Sequence, residues 1–397
     1  MKIVQINTTC GIGSTGKICV GISEVLTENN IENYILYSCQ TNGYRLGKSC
    51  SNNMYVKWQA IKAKIKGNYG FNSKMATKKM IKYLDEIEPD IVHLHNIHGH
   101  DVNIEILFEY LKKKEIKILW TFHDCWALTA YCPYFTQIKC DKWKNTCSKC
   151  PQKRQYLWFV DRSFEMYNKK KKLLEGLDLT IVTPSKWLKK IVKESFLAGY
   201  PVKVINNGIN FQVFRPTKKT LREKYNVAKD VKIVLGVAFE WDKRKGLDVF
   251  NELAVRLGKE YQIVLVGTNQ QVDKQLAANI ISIHRTQNQL ELAEIYSSAD
   301  VFVNPTKEEN FPTVNIEALA CGTPVLTFNT GGSPEILDTT CGKVVECEDI
   351  DELYRWIIEI SQKNLFDEQK CVERALQFDY KEKFQEYIEL YKKVMYE

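Results

Sequence analysis

The sequence predicts an α/β protein with two Rossmann-like, doubly wound domains in series. Strand-like apolar runs alternate with helical periodicity, and 397 residues exceed what one hydrophobic core usually serves. The two halves also differ in charge. Residues 1–210 hold 32 Lys and Arg against 18 Asp and Glu, whereas residues 211–397 hold 24 against 30. The halves are therefore expected to face different partners.

The predicted strands and helices follow one another in the order of a parallel α/β fold. Helical spacing is clear after the first strand, at Ile18, Ile22 and Leu26. The strand-like runs of the first half lie at 2–6, 34–37, 91–95, 116–122 and 179–183. Those of the second half lie at 231–235, 262–266, 301–303 and 324–326. Such alternation is typical of parallel sheets covered by helices on both faces, with a linker here near 208–220.

The expected location is the cytoplasm. The start, Met1–Asn7, is typical of a strand, and no run of about 18 apolar residues follows that could span a membrane. In a cytoplasmic protein, 13 cysteines indicate reduced thiols or a metal site rather than a disulfide framework.

A glycine-rich loop follows the first predicted strand and opens a helix. Residues 11–17, GIGSTGK, fit the start of a phosphate-binding P-loop, but Ile18 follows where Ser or Thr would hold magnesium. This disfavours a P-loop ATPase or GTPase. Gly13 and Ser14 are candidates for backbone contact with a ligand at the helix N-terminus, and a tight turn without ligand is the alternative.

The most informative stretch is 304–325, where a strand, a loop and a helix follow one another. Glu309 is predicted on the loop and Glu317 on the helix, with Thr313 as the N-cap. Amides at a helix start favour a diphosphate, and nearby carboxylates can bind sugar or ribose hydroxyls. A donor-binding loop is therefore predicted here.

Two further junctions support this prediction. A glycine-rich loop leads to Ser333, the predicted N-cap of another helix with Pro334 at its first position. Residues 241–246, WDKRKG, place Arg244 and Lys245 where either could neutralise a pyrophosphate, and a basic surface turn is the alternative.

The run 309–335, Lys245 with the glycine after it, and residues 207–210 together resemble the family 4 retaining glycosyltransferases of the GT-B fold. The turn at 13–16 and the loop at Trp241 resemble those of a subset that builds bacterial surface polysaccharides. It implies two domains facing a cleft that holds a nucleotide-diphosphate sugar. Glu317 would hold the donor ribose, Glu309 the transferred sugar and Lys245 the pyrophosphate.

The same resemblance implies the other donor contacts. His123 would face the donor sugar, and a structural histidine is the alternative reading. The sequence departs from the family at Phe239, where an arginine is common, and at Pro312, which removes a backbone donor. The loops and the resemblance together give the expected donor contacts, which are Gly13, Ser14, Arg244, Asn310, Phe311, Pro312, Thr313 and Glu317.

The implied activity is sugar transfer with retention, by front-face attack and without a catalytic metal, to a polysaccharide or lipid-linked oligosaccharide. Residues 1–210 would form the acceptor domain and 211–375 the nucleotide-sugar-binding domain, and 376–397 a helix packing back on the first. A non-catalytic nucleotide-sugar-binding protein is one alternative. A zinc-bearing nucleic-acid-binding protein is disfavoured because no nucleic-acid motif is recognised and the run 309–335 would stay unexplained.

A cysteine-rich insertion at about 130–152 lies outside the alternating pattern. Its spacing is C-x7-C-x6-C-x2-C. Four thiolates suit one structural zinc ion, but the first pair is too widely spaced for a standard zinc ribbon, so free thiols stay an alternative. The predicted ligands are Cys132, Cys140, Cys147 and Cys150.

Residues 57–82 carry eight lysines and no acidic residue, with Trp58, Ile61 and Ile65 among them. This mix suits a segment that lies on anionic lipid, and a solvated lysine-rich face is the alternative. Peripheral association with the inner face of the cell membrane is therefore an expectation.

Overall fold

The computed structural model describes residues 1–396 and divides the chain into two compact units. Unit 1 comprises Met1–Asn206 and the chain from Lys381 onward, and unit 2 comprises Asn207–Tyr380. Each unit has a parallel sheet with helices, which confirms the predicted fold class. The segment 208–220, for which the sequence predicts a linker, buries Ile209 and Phe214 in the core of unit 2.

The sheet of unit 1 has seven parallel strands in the order β3-β2-β1-β4-β5-β6-β7. Its central strands are apolar and buried on both faces, as expected when helices cover both sides. The strands are β1 (Lys2–Ile6), β2 (Glu32–Tyr37), β3 (Gly47–Ser49), β4 (Ile91–Leu94), β5 (Lys117–Thr121), β6 (Leu179–Thr183) and β7 (Val202–Val204).

The helices of unit 1 connect these strands or extend from the loops after them. Between β5 and β6 the chain is largely irregular, with 3₁₀ turns at Trp126–Leu128 and Lys142–Lys144. The helices are α1 (Gly13–Glu28), α2 (Asn53–Lys66), α3 (Lys74–Ile87), α4 (Ile104–Lys113), α5 (Lys153–Tyr156), α6 (Ser163–Leu174) and α7 (Lys186–Lys193).

Unit 2 repeats the strand order with six strands, β10-β9-β8-β11-β12-β13. The strands are β8 (Lys232–Val237), β9 (Tyr261–Val266), β10 (Ile280–Ile283), β11 (Val301–Asn304), β12 (Val325–Phe328) and β13 (Gly342–Val345). The helices are α8 (Leu221–Lys224), α9 (Leu247–Arg256), α10 (Gln270–Asp273), α11 (Gln289–Ser298), α12 (Thr313–Ala320), α13 (Ser333–Ile336), α14 (Ile350–Lys363) and α15 (Glu368–Leu376).

The last helix, α16 (Tyr380–Tyr396), belongs to unit 1 from Lys381 onward. Its Tyr391 hydroxyl lies 2.6 Å from His93 Nδ1, and its Tyr387 hydroxyl lies 3.1 Å from Thr121 Oγ1. These buried contacts attach α16 to β4 and β5. No helix within residues 1–396 is both long and apolar enough to cross a membrane.

Each sheet reverses its strand order at one point. In unit 1 this point lies between β1 and β4, and in unit 2 between β8 and β11. Connections leave in opposite directions there, so a crevice opens beyond the carboxyl ends of the two strands, and ligands of doubly wound sheets bind in it. The loops at these two points define the candidate site.

Candidate functional site

In unit 2, an ion pair joins the loop after β8 to the loop after β11. Lys245 Nζ lies 2.6 Å from Glu309 Oε2, and Glu309 Oε1 accepts a hydrogen bond from the Asn310 N–H at 3.0 Å. Burial alone would raise the pKa of Glu309, but the charge and hydrogen bond of Lys245 outweigh it and the pKa is lowered. The side chains keep exposed fractions of 21% and 14%, so solvent reaches the pair. It offers a cation for phosphate and an ionised carboxylate for hydroxyls.

Two glycines let the loops after β8, β11 and β12 approach one another. A Cβ on Gly246, whose φ is +79°, would lie 2.5 Å from the Pro305 carbonyl oxygen. A Cβ on Gly331, in the loop after β12, would lie 1.7 Å from the carbonyl oxygen of Glu309. Both distances are far below van der Waals contact, so only glycine fits at these positions. The glycines therefore fix the ion pair at the crevice.

Arg244 belongs to the same group of residues. Its carbonyl oxygen accepts a hydrogen bond from the Lys307 N–H at 2.8 Å, and its Nη1 donates to the carbonyl oxygen of Glu308 at 3.4 Å. Trp241 attaches the loop to the end of β9, because its buried indole N–H donates to the Val266 carbonyl oxygen at 2.9 Å. The basic loop predicted at 241–246 is thus held against the loop that carries Glu309.

Glu317 lies on α12 and is half-buried. Its Oε2 accepts a hydrogen bond from the Tyr296 hydroxyl at 3.1 Å. Burial and then the Glu317 charge raise the pKa of Tyr296 well above its usual value, so the phenol keeps its proton and donates. Tyr296 on α11 therefore orients the carboxylate. Tyr296 was not identified as a partner from the sequence, because a lone tyrosine in a helix gives no signal.

The helix starts differ by one residue from the predictions. α12 begins at Thr313, and the N-cap is Pro312, so the predicted Thr313 cap is wrong: its backbone is already helical. α13 begins at Ser333 with Gly332 as the N-cap and contains four residues. The predicted second helix terminus is only a single turn, which has little macrodipole to attract a diphosphate.

The side chains of Asn310 and Phe311 point away from any accessible surface. They are only 3% and 4% exposed, and Phe311 packs edge-on against Phe378 with ring centroids 5.7 Å apart. A ligand would meet this stretch through its main chain. Lys245, Arg244, Glu309 and Asn310 are brought together, whereas Gly13, Ser14 and His123 belong to unit 1.

In unit 1, a hydrogen-bond chain runs from Gln5 on β1 to His123 after β5. Gln5 Nε2 donates to the Cys19 carbonyl oxygen at 2.9 Å, so its Oε1, 3.0 Å from His95 Nε2, can only accept. His95 Nε2 therefore carries the proton and His95 Nδ1 accepts. His123 Nε2, 3.1 Å from that atom, must donate, which leaves His123 Nδ1 as a hydrogen-bond acceptor.

His95 and His123 are uncharged at neutral pH. Burial lowers the pKa of His123 to about 4, and burial also lowers the pKa of His95 well below its usual value. Beside them, His98 Nε2 lies 3.1 Å from Asp124 Oδ2. The pKa of Asp124 is lowered because this histidine and a backbone N–H outweigh its burial. The spacing H-x-H-x2-H-x-H at 93–100 was the available sequence signal for His95 and His98.

The glycine-rich turn opens α1 as predicted from the sequence. α1 begins at Gly13, after Ile12, and no side chain caps its first turn. A Cβ on Gly13 would meet no atom within 4 Å, and Ser14 is exposed. A 16-residue helix thus presents its first amides beside open space. The predicted backbone contact with a ligand stays a prediction.

The four cysteines of the insertion line one small cavity of about 20 Å³. None of the four forms a disulfide, and burial raises the pKa of Cys132 to about 12 and that of Cys147 to about 11. Within residues 1–396, no three His, Cys, Asp or Glu side chains are placed to hold a metal ion. Zinc binding would require the sulfurs to move together. The predicted ligands Cys132, Cys140, Cys147 and Cys150 stay a prediction.

Comparison with known families divides the chain in the same two parts. Residues 59–213 match the family described as Glycosyltransferase Family 4, and residues 231–363 match Glycosyl transferases group 1. Both families agree with the resemblance drawn from the sequence.

Two curated relatives share this similarity. The chain is 23% identical over 276 residues to WcaC of Escherichia coli (strain K12), named as a colanic acid biosynthesis glycosyl transferase, covering 67% of this chain and 66% of WcaC. It is 25% identical over 201 residues to the N,N'-diacetylbacillosaminyl-diphospho-undecaprenol alpha-1,3-N-acetylgalactosaminyltransferase of Campylobacter jejuni, covering 47% of this chain and 53% of that protein.

Solved structures share the fold over almost the whole chain. Sucrose-phosphate synthase from Thermosynechococcus elongatus matches with a TM-score of 0.73 and 17% identity, covering 99% of this chain and 98% of that one. Anabaena Alr3699/HepE in complex with UDP-glucose matches with a TM-score of 0.70 and 15% identity, covering 99% and 100%. These likenesses confirm the predicted fold.

Proposed function

Since this chain belongs to the GT-B glycosyltransferases, with a family 4 domain followed by a group 1 domain, we propose that it transfers a sugar from a nucleoside-diphosphate donor to a glycan hydroxyl. The proposed transfer retains the anomeric configuration. The observation that carries the proposal is the Lys245–Glu309 pair at the crevice of unit 2. A cation beside an ionised carboxylate suits a ligand with phosphate at one end and hydroxyls at the other.

The chemical step creates charge where Lys245 can neutralise it. The bond between the anomeric carbon and the diphosphate oxygen breaks, and its electron pair leaves with the diphosphate. The acceptor hydroxyl attacks the same face of the sugar, and its proton passes to the departing phosphate oxygen. A fixed cation and backbone amides aimed at that oxygen lower the barrier without any enzymic nucleophile. Arg244 is placed to assist Lys245.

The carboxylates have separate roles in this proposal. Glu309 is ionised at neutral pH and accepts hydrogen bonds from hydroxyls of the transferred sugar. Glu317, oriented by Tyr296, accepts from the ribose hydroxyls. Both roles follow the family resemblance and suit acceptor-only groups.

The neutral imidazole of His123 suits uncharged hydroxyls. His123 Nδ1 is left unprotonated by the chain from Gln5, so it accepts a hydrogen bond from a sugar hydroxyl rather than repelling or binding a charge. The amides of Gly13 and Ser14 supply donors. Catalysis in this scheme requires no metal.

The proposed acceptor is a polysaccharide or lipid-linked glycan at the cytoplasmic face of the membrane. Support comes from the basic first half, with 32 Lys and Arg against 18 Asp and Glu, and from the relative whose name specifies a diphospho-undecaprenol acceptor. Each lysine near an anionic surface contributes about 1 kcal/mol of attraction, so several together hold a protein there.

The proposal is tested by product release. The purified chain is incubated with nucleotide sugars and bacterial glycolipid extract, and free nucleoside diphosphate is measured. Release that depends on both substrates is expected, and the coupling constant of the anomeric proton in the product reports retention. Binding of donor without release in any combination would instead identify a non-catalytic nucleotide-sugar-binding protein.

A further inference from the structure

Helix α2 presents an apolar stripe to solvent. Its four large apolar residues follow the spacing i, i+4, i+7, i+11, which places them within about 60° of the helix circumference. The opposite face, which includes Val56 and Ala63, is buried in unit 1. The stripe and its exposed fractions are Met54 (70%), Trp58 (59%), Ile61 (39%) and Ile65 (43%).

Lysines border this stripe on both sides. Helical geometry places Lys57 and Lys64 along one edge of it and Lys62 and Lys66 along the other. Between residues 50 and 84 there is no acidic side chain. An apolar stripe flanked by cations, opposite a buried face, is the pattern of a helix that lies in a lipid headgroup region.

A second segment extends the stripe beyond the end of α2. The Trp158 N–H donates to the Lys64 carbonyl oxygen at 2.9 Å, and a Cβ on Gly67 would lie 2.9 Å from the carbonyl oxygen of Val160. The loop is thus packed on the last turn of the helix. Its exposed fractions are 55% for Trp158, 76% for Phe159 and 55% for Val160. Three consecutive exposed apolar residues are unusual on a surface that only water covers.

The charge around this loop has the same sign as that around the helix. Residues 142–160 contain five Lys and Arg and no Asp or Glu. The nearby Glu165 is paired with Arg162 in a hydrogen bond of 2.7 Å from the arginine Nε. Asp161, next to Val160, accepts hydrogen bonds from the Cys150 and Ser163 N–H groups at 2.8 and 2.9 Å. Positive charge therefore predominates around the apolar residues of both segments.

Exposed apolar residues in unit 2 provide the contrast. Phe239, Val255 and Leu290 are 76%, 83% and 55% exposed, but they lie on different elements and are bordered by mixed charges. Single exposed apolar residues of this kind are ordinary on proteins. The clustering with cations is specific to unit 1.

We propose that the stripe of α2 and residues 158–160 form one docking surface for an anionic lipid bilayer. The aromatic and aliphatic side chains insert at headgroup depth, and the bordering lysines bind anionic headgroups. This inference rests on the peripheral membrane association proposed above and identifies the surface responsible. It adds a salt-resistant component that a lysine patch alone would lack.

The test measures co-sedimentation of the full chain with vesicles of phosphatidylcholine, alone or with one third phosphatidylglycerol, at low and high salt. The double variant Trp58→Ser/Phe159→Ser is expected to lose binding on the order of tenfold at both salt concentrations, because buried apolar area is lost. Lys62→Glu/Lys64→Glu should lose binding mainly at low salt. Val255→Ser, at an exposed apolar position of unit 2, should bind as the parent chain does.

Three results would overturn the proposal. The first is unchanged vesicle binding by Trp58→Ser/Phe159→Ser, and the second is equal binding of the parent chain to both vesicle types. The third is a concentration-dependent dimer in analytical ultracentrifugation that this variant abolishes, which would assign the surface to a second copy. Calorimetric binding of nucleoside diphosphate is measured on every variant. If the parent chain itself does not bind nucleoside diphosphate, the proposed function is contradicted, and the vesicle-binding result remains valid.

Discussion

The two units share a strand order but place opposite chemistry at the same point of the sheet. In unit 2, Lys245 and Glu309 lie 2.6 Å apart and are both charged. In unit 1, His95 and His123 lie 3.1 Å apart and are both neutral. The strand order creates a crevice in each unit, and the loop residues alone decide that a charged pair lies at one and a neutral histidine pair at the other.

The largest expected effect concerns the charged crevice. Glu309→Ala should reduce turnover by about 10²- to 10³-fold, because a transition-state contact is lost, while nucleoside diphosphate binding is spared. Glu317→Ala should lower the affinity for nucleoside diphosphate by about 10- to 100-fold, because a charge-assisted hydrogen bond is lost. Titration calorimetry with the free diphosphate and steady-state rates measure both. Equal losses of binding in the two variants would refute the separate roles.

The second prediction is that zinc binds to the cysteine-rich insertion of unit 1 and that unit 2 holds none. If zinc binds there, protein purified without chelator contains about one equivalent, and its removal destabilises unit 1, since metal binding energy is folding energy. Cys147→Ser/Cys150→Ser should abolish the zinc content, and Cys347→Ser, at an exposed cysteine of unit 2, should not. Elemental analysis decides the matter. Metal-free protein of unchanged stability would contradict zinc binding and favour free thiols at the four cysteines.

The smallest effect concerns the neutral crevice and pH. His123 has a pKa of about 4 in the fold, against about 6.5 when unfolded. Between these two values the unfolded chain binds the proton and the folded chain largely does not. Stability should therefore fall as pH drops from about 6.5 to about 4. His123→Gln should remove about 1–3 kcal/mol of that fall in urea unfolding. His284→Gln removes an exposed histidine of unit 2 that pairs with Asp273, and it should not reduce the fall. An equal loss of stability with falling pH in His123→Gln and in the parent chain would contradict the assignment.

The sequence predicted the central strands well because they are continuous apolar runs. The predicted run at 179–183 coincides with β6, and that at 262–266 lies within β9. All four edge strands, β3, β7, β10 and β13, were missed, because a short edge strand needs few apolar residues and is defined by its neighbour's hydrogen bonds. Central strands are thus encoded locally and edge strands by pairing.

The candidate site was predictable where a side chain follows a strand and not where it depends on a partner. Lys245 and Glu309 were identified from their loops, but their pairing required the adjacency of β8 and β11. Gln5 and His95 lie about 90 residues apart and meet only because β1 pairs with β4. No local pattern contains that contact.

The way the chain connects the two units allows unit 2 to be replaced as a whole. Ile209 and Asp379 form a bridge within unit 2, and the Tyr380 N–H donates to the Ile209 carbonyl oxygen at 3.1 Å. The chain thus enters and leaves unit 2 at one place, which makes unit 2 a continuous segment spliced into unit 1. Such a segment can be replaced through two junctions, near 206 and 381, without changing the order of the elements of unit 1. Recombination at these two positions would join the same unit 1 to a different unit 2.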